Sequence, residues 1–246
     1  MDLNWHVFLE PAPSGGGATY LDWTIAGLKI TVMLSMASWV IAFLWGSVMG
    51  VFRTMPNRVL YGISTVYVEV FRNIPLLVQL FIWYFVMPEL VPPALGNWYK
   101  QLDPVTGMFL ASTLCLGFFT GARICEQVRA GIESLSKGQK AAGLALGLSL
   151  RQTYNNVLLP MAFRIIIPPL SSEMVNLVKN SAVASTIGLL ELAAMGRQLV
   201  DYTARAYESF TAITLLYIAV NFIILSFMSW VELKARVPGF ISGGGR

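Results

Sequence analysis

Charge is what this chain has least of. Asp, Glu, Lys and Arg make up 12% of its 246 residues while 56% are hydrophobic, against a charged fraction of about 25% in an ordinary soluble domain. That excludes a soluble globular protein and assigns the chain to a bilayer. Histidine occurs once, at His6, which excludes a histidine-based metal centre or proton relay. Cys115 and Cys125 lie on one predicted helix, and at about 100° per residue they point in different directions, so neither a disulfide nor a metal pair is expected. No Ser-His, His-rich or paired-carboxylate cluster has catalytic spacing, so the chain does not read as an enzyme. The formal charge of +4 is spread over separate loops, which excludes a nucleic-acid partner. The first residues lack a basic stretch followed by an apolar run and a small-residue cleavage site, so the first span is expected to serve as its own insertion signal.

What the chain has is long uncharged runs. Ile30–Phe52, Pro104–Ala122 and Ser209–Val231 contain no Asp, Glu, Lys or Arg and are long enough as helices for a hydrocarbon core of about 30 Å. Two further apolar segments, Val59–Val86 and Gln152–Lys179, are interrupted by Glu69, Arg72, Arg164 and Glu173 and by Pro75, Pro160, Pro168 and Pro169. Counted as spans, they give an all-α membrane protein with five transmembrane helices.

Five spans put the termini on opposite sides, and Lys and Arg in short loops decide which is which. Arg53, Arg58, Arg129, Lys137, Lys140, Arg151, Lys234, Arg236 and Arg246 fall on one side, against Lys29, Lys100, Arg197 and Arg205 on the other. The N-terminus is therefore expected outside and the C-terminus in the cytoplasm. The reading divides the chain into an outer segment 1–23, a membrane domain 24–232 containing the inner loop 131–160, and a cytoplasmic tail 233–246.

Ser38, Ala42, Gly46 and Gly50 recur every four residues in the first span, a small-residue stripe that lets another helix approach closely. Met87–Gly107 holds Pro88, Pro92, Pro93 and Pro104 and reads as a folded outer cap rather than a helix. In the inner loop, Lys137–Leu146 reads as a short helix stopped by Gly147, and Ser149 as the N-cap of a second helix running from Arg151 to Leu159 and ending at Pro160. Connectors between helices usually take 2 to 8 residues, and this one is longer.

The loop carries Ala141-Ala142-Gly143, then Gly147 after three residues, then Val157-Leu158-Leu159-Pro160 after nine more. This resembles the coupling motif of ATP-binding-cassette importer membrane subunits: Glu-Ala-Ala, three residues, Gly, nine residues, Ile-x-Leu-Pro. It departs at Ala141, where the motif has Glu, and at Gly143. Further segments resemble the polar amino acid subfamily, and within it the glutamate/aspartate permeases: Glu69 to Leu80, Arg123 to Ile132, Arg164 to Leu170, and Ser172 to Ser181.

The resemblance implies a type I importer transmembrane domain with a cytoplasmic coupling-helix hairpin, in a bacterial inner membrane. It implies as partners two cytoplasmic ATPases, a second similar permease and a periplasmic or extracellular amino-acid-binding protein. It assigns ATPase coupling to Gly138, Gln139, Ala141, Ala142, Gly143, Ala145, Gly147, Leu159 and Pro160. No G-x-x-x-x-G-K-[ST] loop is present, so ATP and magnesium belong to the partner ATPases and no cofactor is expected on this chain. The substrate implied is glutamate or aspartate, the alternatives being basic or other polar amino acids such as histidine, arginine or glutamine. A more distant alternative is a secondary transporter that works without ATP.

Ionisable residues at membrane depth are expensive and call for a partner or a task. Glu69 and Arg72, three apart, read as a self-neutralising pair, with Arg72 also open to facing the pathway. Arg123, Glu126 and Arg129 read as a structural ion network near the inner end of the third span. Glu173, Asn176 and Lys179 recur every third residue just past Pro168-Pro169, where a broken helix would free backbone groups toward a cavity. With Arg72 they form the expected substrate wall, Glu173 toward an amino group and Arg72, Asn176 or Lys179 toward carboxylates. A salt bridge from Glu173 to Lys179, or one between subunits, without a substrate role stays open as the alternative.

Overall fold

Polar residues punctuate this chain, and the helices follow them. The computed structural model describes residues 3–13, 17–135 and 137–235. Arg236 and Arg246, parts of the expected outer segment and most of the expected tail lie outside the described residues.

A 3-10 turn at Trp5–Leu9 precedes α1, Tyr20–Phe52, whose first turn is fixed by Asp22 accepting from the Thr19 N–H at 2.8 Å. The helix starts well before the uncharged run and carries Lys29 on an exposed face. Asn57 caps α2, Arg58–Asn73, its Oδ1 accepting from the N–H groups of Val59 and Leu60. Pro75 interrupts the path. After it come α3 (Leu76–Phe81), a π-turn at Ile82–Val86 and α4 (Met87–Leu90). Gln79 Nε2 donates to the Ile74 carbonyl at 2.8 Å, satisfying an acceptor left at the break.

The outer cap is more helical than its prolines suggested. Helix α5, Pro93–Lys100, lies within the segment read as non-helical. Proline terminates a helix only from inside it; in the first turn its missing N–H would have had no partner anyway. Pro88 and Pro93 occupy such positions. The cap is closed by Lys100 pairing with Glu89 at 2.7 Å and by the Tyr99 hydroxyl donating to the Gly107 carbonyl at 2.9 Å. Burial, with a smaller contribution from Tyr84, pushes the Tyr99 phenol up to about 12, so it remains a donor at physiological pH. Asp103 then caps α6, Pro104–Glu133, accepting from Thr106 N–H at 3.1 Å.

Beyond α6 come α7 (Lys137–Ala145), α8 (Leu150–Thr153), a π-turn at Tyr154–Leu158, α9 (Leu159–Asn180), a 3-10 stretch at Ser181–Ile187, α10 (Leu192–Thr203) and α11 (Ala206–Ala235). Two expectations are corrected here. The second hairpin helix does not stop at Pro160: α8 ends at Thr153, and the π-turn widens the coil just ahead of the proline so that the helical path continues. Nor is the helix broken at Pro168-Pro169, both of which lie inside α9; their missing N–H groups free the carbonyls of Arg164 and Ile165 instead. Helix α10 has no counterpart in the sequence reading.

Among the described residues four helical stretches are long and apolar enough to cross a membrane: Tyr20–Phe52, Pro104–Glu133, Leu150–Ile187 and Ala206–Ala235. A fifth crossing results if the bent pair Arg58–Asn73 and Leu76–Leu90 counts as one span. Helix α6 is the most buried of them.

The chain divides into two compact units. One comprises Met1–Val40, Ile74–Gly117 and Asn176–Phe222; its core is Leu34, Leu116, Ala184 and Leu189 with Ile30, Leu76, Met108 and Phe109 around them. The other comprises Ile41–Asn73, Phe118–Val175 and Ile223–Arg246. There Met49, Val68 and Cys125 pack with Phe52 and Tyr67, and the Tyr67 hydroxyl donates to the Phe118 carbonyl at 2.6 Å. Cys115 and Cys125 are both free and buried. All four residues of the small-residue stripe are buried. A methyl group on Gly46 would come within 2.5 Å of the Gly121 carbonyl oxygen, and one on Gly50 within 2.8 Å of that of Cys125, so the stripe is a helix-packing face against α6.

Candidate functional site

Within the second unit, α6 presents Phe119, Arg123 and Gln127 at four-residue intervals, with Glu126 beside them. These side chains, Arg72 from α2 and Glu173 from α9 line a cavity of about 320 Å³, at the small end for a ligand pocket. Glu173 is its hub. The residue is 9% exposed; its Oε1 accepts from Gln127 Nε2 at 3.3 Å, and its Oε2 lies 3.8 Å from Arg123 Nη1. The Arg123 guanidinium also stands over the Phe119 ring, 5.3 Å from its centre, which holds a cation in place without neutralising it.

Glu126 is otherwise engaged. It pairs with Arg53 and with Arg129, the latter at 2.9 Å, and Arg129 pairs with Glu133 at 2.6 Å. Two arginines and two glutamates balance within that network. The remaining charges of the cavity are Arg72 and Arg123 against Glu173, a balance of one positive charge. Glu173 Oε2 and Gln127 Oε1 are buried without a hydrogen-bond partner among the described residues, an arrangement expensive in a membrane protein unless a ligand's donors complete it.

The structure therefore gathers two of the four residues read as substrate wall, Arg72 and Glu173, with Arg123 and Glu126 from the group read as structural. Asn176 and Lys179 belong to the first unit and are not among the lining residues. Glu69 accepts from Asn73 Nδ2 at 2.9 Å, and among the described residues no ion pair joins it to Arg72, so the expected intrahelical pair is not formed. The i, i+4 hydrogen bond to Asn73 competes for the same carboxylate. Phe119 and Gln127 were missed, although their four-residue spacing from Arg123 puts all three on one helix face. No group of three or more metal-binding side chains occurs among the described residues.

The second candidate region is the hairpin. Helix α7 ends in a paired cap: Leu148 N–H donates to the Gly143 carbonyl at 3.1 Å and Gly147 N–H to that of Leu144 at 3.0 Å, with Gly147 at φ +81°. This Schellman arrangement needs a left-handed residue just past the helix, which glycine supplies. Ser149 is the N-cap expected of it, in a reciprocal box with Gln152. Gly143 has a packing reason: a Cβ there would lie 2.9 Å from Thr153 Cγ2, so the departure from the motif's alanine lets α7 and α8 close together. Ala141, Ala142, Ala145 and Gly147 are exposed with Gly138, and Leu144 and Leu146 stand 45% and 83% exposed. The result is a low, partly apolar surface on a rigid turn. Gln139 and Leu159 are half-buried and Pro160 exposed.

Residues 42–237 match the protein family described as binding-protein-dependent transport system inner membrane component. The chain belongs to this family. It is 57% identical over 244 residues to the glutamate/aspartate import permease protein GltJ of Escherichia coli K12, covering 99% of both chains. It is 33% identical over 202 residues to the probable glutamine ABC transporter permease protein GlnM of Bacillus subtilis 168, covering 82% of this chain and 86% of that one. A crystal structure of an amino acid ABC transporter with histidines superposes with a TM-score of 0.71 at 26% identity, over 87% of this chain and 95% of that one. This member of the family is thus an all-α permease subunit of an ATP-binding-cassette importer, with the type I importer transmembrane fold, and not an enzyme. A binding-protein-dependent inner-membrane system places it in the membrane and implies an ATPase and a binding protein as partners.

Proposed function

We propose that this permease subunit moves glutamate and aspartate through the cavity between Arg72, Arg123 and Glu173. The observation that carries the reading is the charge balance: an acidic amino acid has two carboxylates and one ammonium, the complement of two arginines and one glutamate. The ammonium goes to Glu173 and the unpartnered Gln127 Oε1; the carboxylates go to Arg123 and Arg72, whose planar donor forks suit them. A cationic amino acid would set a like charge against two arginines. The 57% identical glutamate/aspartate relative supports the same substrate class. Asn176 and Lys179, further along α9, complete the residues we assign to the pathway; Glu69, Arg129 and the Glu126 network hold its walls.

In this reading residues 24–232 form the permease domain, with the N-terminus outside and segment 233–246 in the cytoplasm. The loop 131–160 lies inside and docks on the ATPase. Two ATPases bind ATP and magnesium, a second similar permease completes the pathway, and the binding protein delivers substrate from outside. Closure of the ATPases moves the docked hairpin, and the spans open the cavity to each side in turn.

The test is uptake of labelled glutamate, aspartate, glutamine and arginine into liposomes holding the full complex. ATP-dependent uptake dominated by the two acidic amino acids is expected. Dominant arginine or glutamine uptake would overturn the substrate, and uptake without ATP would overturn the class.

A further inference from the structure

Tyr154 opens the π-turn that leads from the hairpin into α9. It is 2% exposed, and its hydroxyl donates to the Thr54 carbonyl at 2.7 Å and lies 3.2 Å from Thr54 Oγ1. Lys140 Nζ, on α7, stands 5.7 Å from the centre of its ring. Thr54 follows Arg53, and Arg53 is the partner of Glu126, which lines the cavity. The Arg53 and Glu126 side chains keep only 11% and 20% of their exposure. A continuous set of contacts thus runs from the hairpin to the cavity wall, wholly within one compact unit. At such burial an ion pair has few alternative arrangements, and losing one partner is strongly felt by the other.

We propose that Tyr154, Thr54, Arg53 and Glu126 link hairpin movement to the charge of the cavity, with Tyr154 as the positioning residue. The inference rests on the proposed roles of hairpin and cavity. A hairpin that shifts draws Thr54, and with it Arg53, away from Glu126. Glu126 then keeps one cation, Arg129, instead of two, and its negative charge bears on a cavity whose positive excess holds an anionic substrate. The movement that opens the cavity inward thereby also loosens its grip.

The experiment is the ratio of ATP hydrolysed to glutamate transported by the full complex in liposomes. Tyr154→Phe keeps the ring and removes only the hydroxyl. It is expected to raise the ratio roughly 2- to 30-fold, the range of mutational effects on coupling, with the assembled complex recovered in normal yield. Arg53→Gln is expected to raise it likewise, and Arg53→Lys, which keeps the charge, to stay nearer the wild-type ratio. An unchanged ratio in both Tyr154→Phe and Arg53→Gln would overturn the linkage, as would a lowered melting temperature with an unchanged ratio. A wild-type complex that takes up no glutamate, or does so without ATP, is a separate result and sinks the underlying reading instead.

Discussion

The Tyr217 hydroxyl donates to Glu191 Oε2 at 2.9 Å, joining α11 to the start of α10 in the first unit. Glu191 is fully buried, yet its charge is well met. Its two oxygens also accept from the N–H groups of Ala193 and Ala194 at 3.0 and 2.8 Å, making it the N-cap of α10, where a helix terminus favours an anion. Tyr217→Phe should cost about 1 kcal/mol, and Glu191→Gln, which disturbs several bonds to a charged acceptor, about 1.5–3 kcal/mol. Thermal unfolding of the purified subunit in detergent measures both; equal effects would argue against the carboxylate as the hub.

Arg123 and Glu173 line the cavity with their charged groups 3.8 Å apart, and each should matter for uptake. Arg123→Gln and Glu173→Gln are expected to lower glutamate uptake at least about tenfold, equivalent to about 1.4 kcal/mol, at unchanged membrane levels. Arg72→Gln should depress glutamate more than glutamine, because it removes the second cation. A variant of all three that still prefers glutamate would locate selectivity elsewhere.

The hairpin turn rests on backbone geometry. Nothing lies within 4 Å of a Cβ built at Gly147, so the penalty of a side chain there is conformational, from φ +81° alone. Gly147→Val should therefore strain the turn by about 1–3 kcal/mol and uncouple ATP hydrolysis from uptake with insertion intact, while Gly147→Asn should be tolerated better. Normal ATP-driven uptake by Gly147→Val would remove the hairpin from the coupling path. Ser149→Ala, which deletes the capping box, should weaken the same turn by about 1 kcal/mol.

Gly46 offers a control outside the cavity. With the Gly121 carbonyl oxygen 2.5 Å from its would-be methyl group, Gly46→Leu has to push α1 off α6. A loss of about 1–3 kcal/mol or more is expected, seen as reduced folded yield and a lower melting temperature. Leu44→Ala, at a position 60% exposed, should change neither.

Some of this was legible in the order of residues and some was not. Three of the spans were written in uncharged runs, the packing face in Ser38, Ala42, Gly46 and Gly50, and the hairpin caps in Gly147 and Ser149, because each of these signals is local. Proline misled in both directions: Pro93 starts a helix, and Pro160, Pro168 and Pro169 fail to end one, since the outcome depends on which carbonyl each ring faces. The cavity depended on contacts between distant segments. Arg123 has Glu126 three residues away and Glu173 fifty away, and sequence spacing alone favours the near one. Glu191 carried no pattern at all; a single Glu in an apolar stretch does not announce that the hydroxyls of Thr31, at 3.4 Å, and Tyr217 will donate to it.

The close approach at Gly46 also bears on temperature. Two helix backbones held together by dispersion inside lipid owe little to the release of ordered water, so their contact lacks the large heat-capacity signature of a water-driven core. Hydrophobic burial weakens on cooling; the α1–α6 seam has no such reason to loosen. A subunit built this way should keep its second unit intact in the cold, and its low-temperature limit should be set by the fluidity of the lipid around it rather than by its own packing.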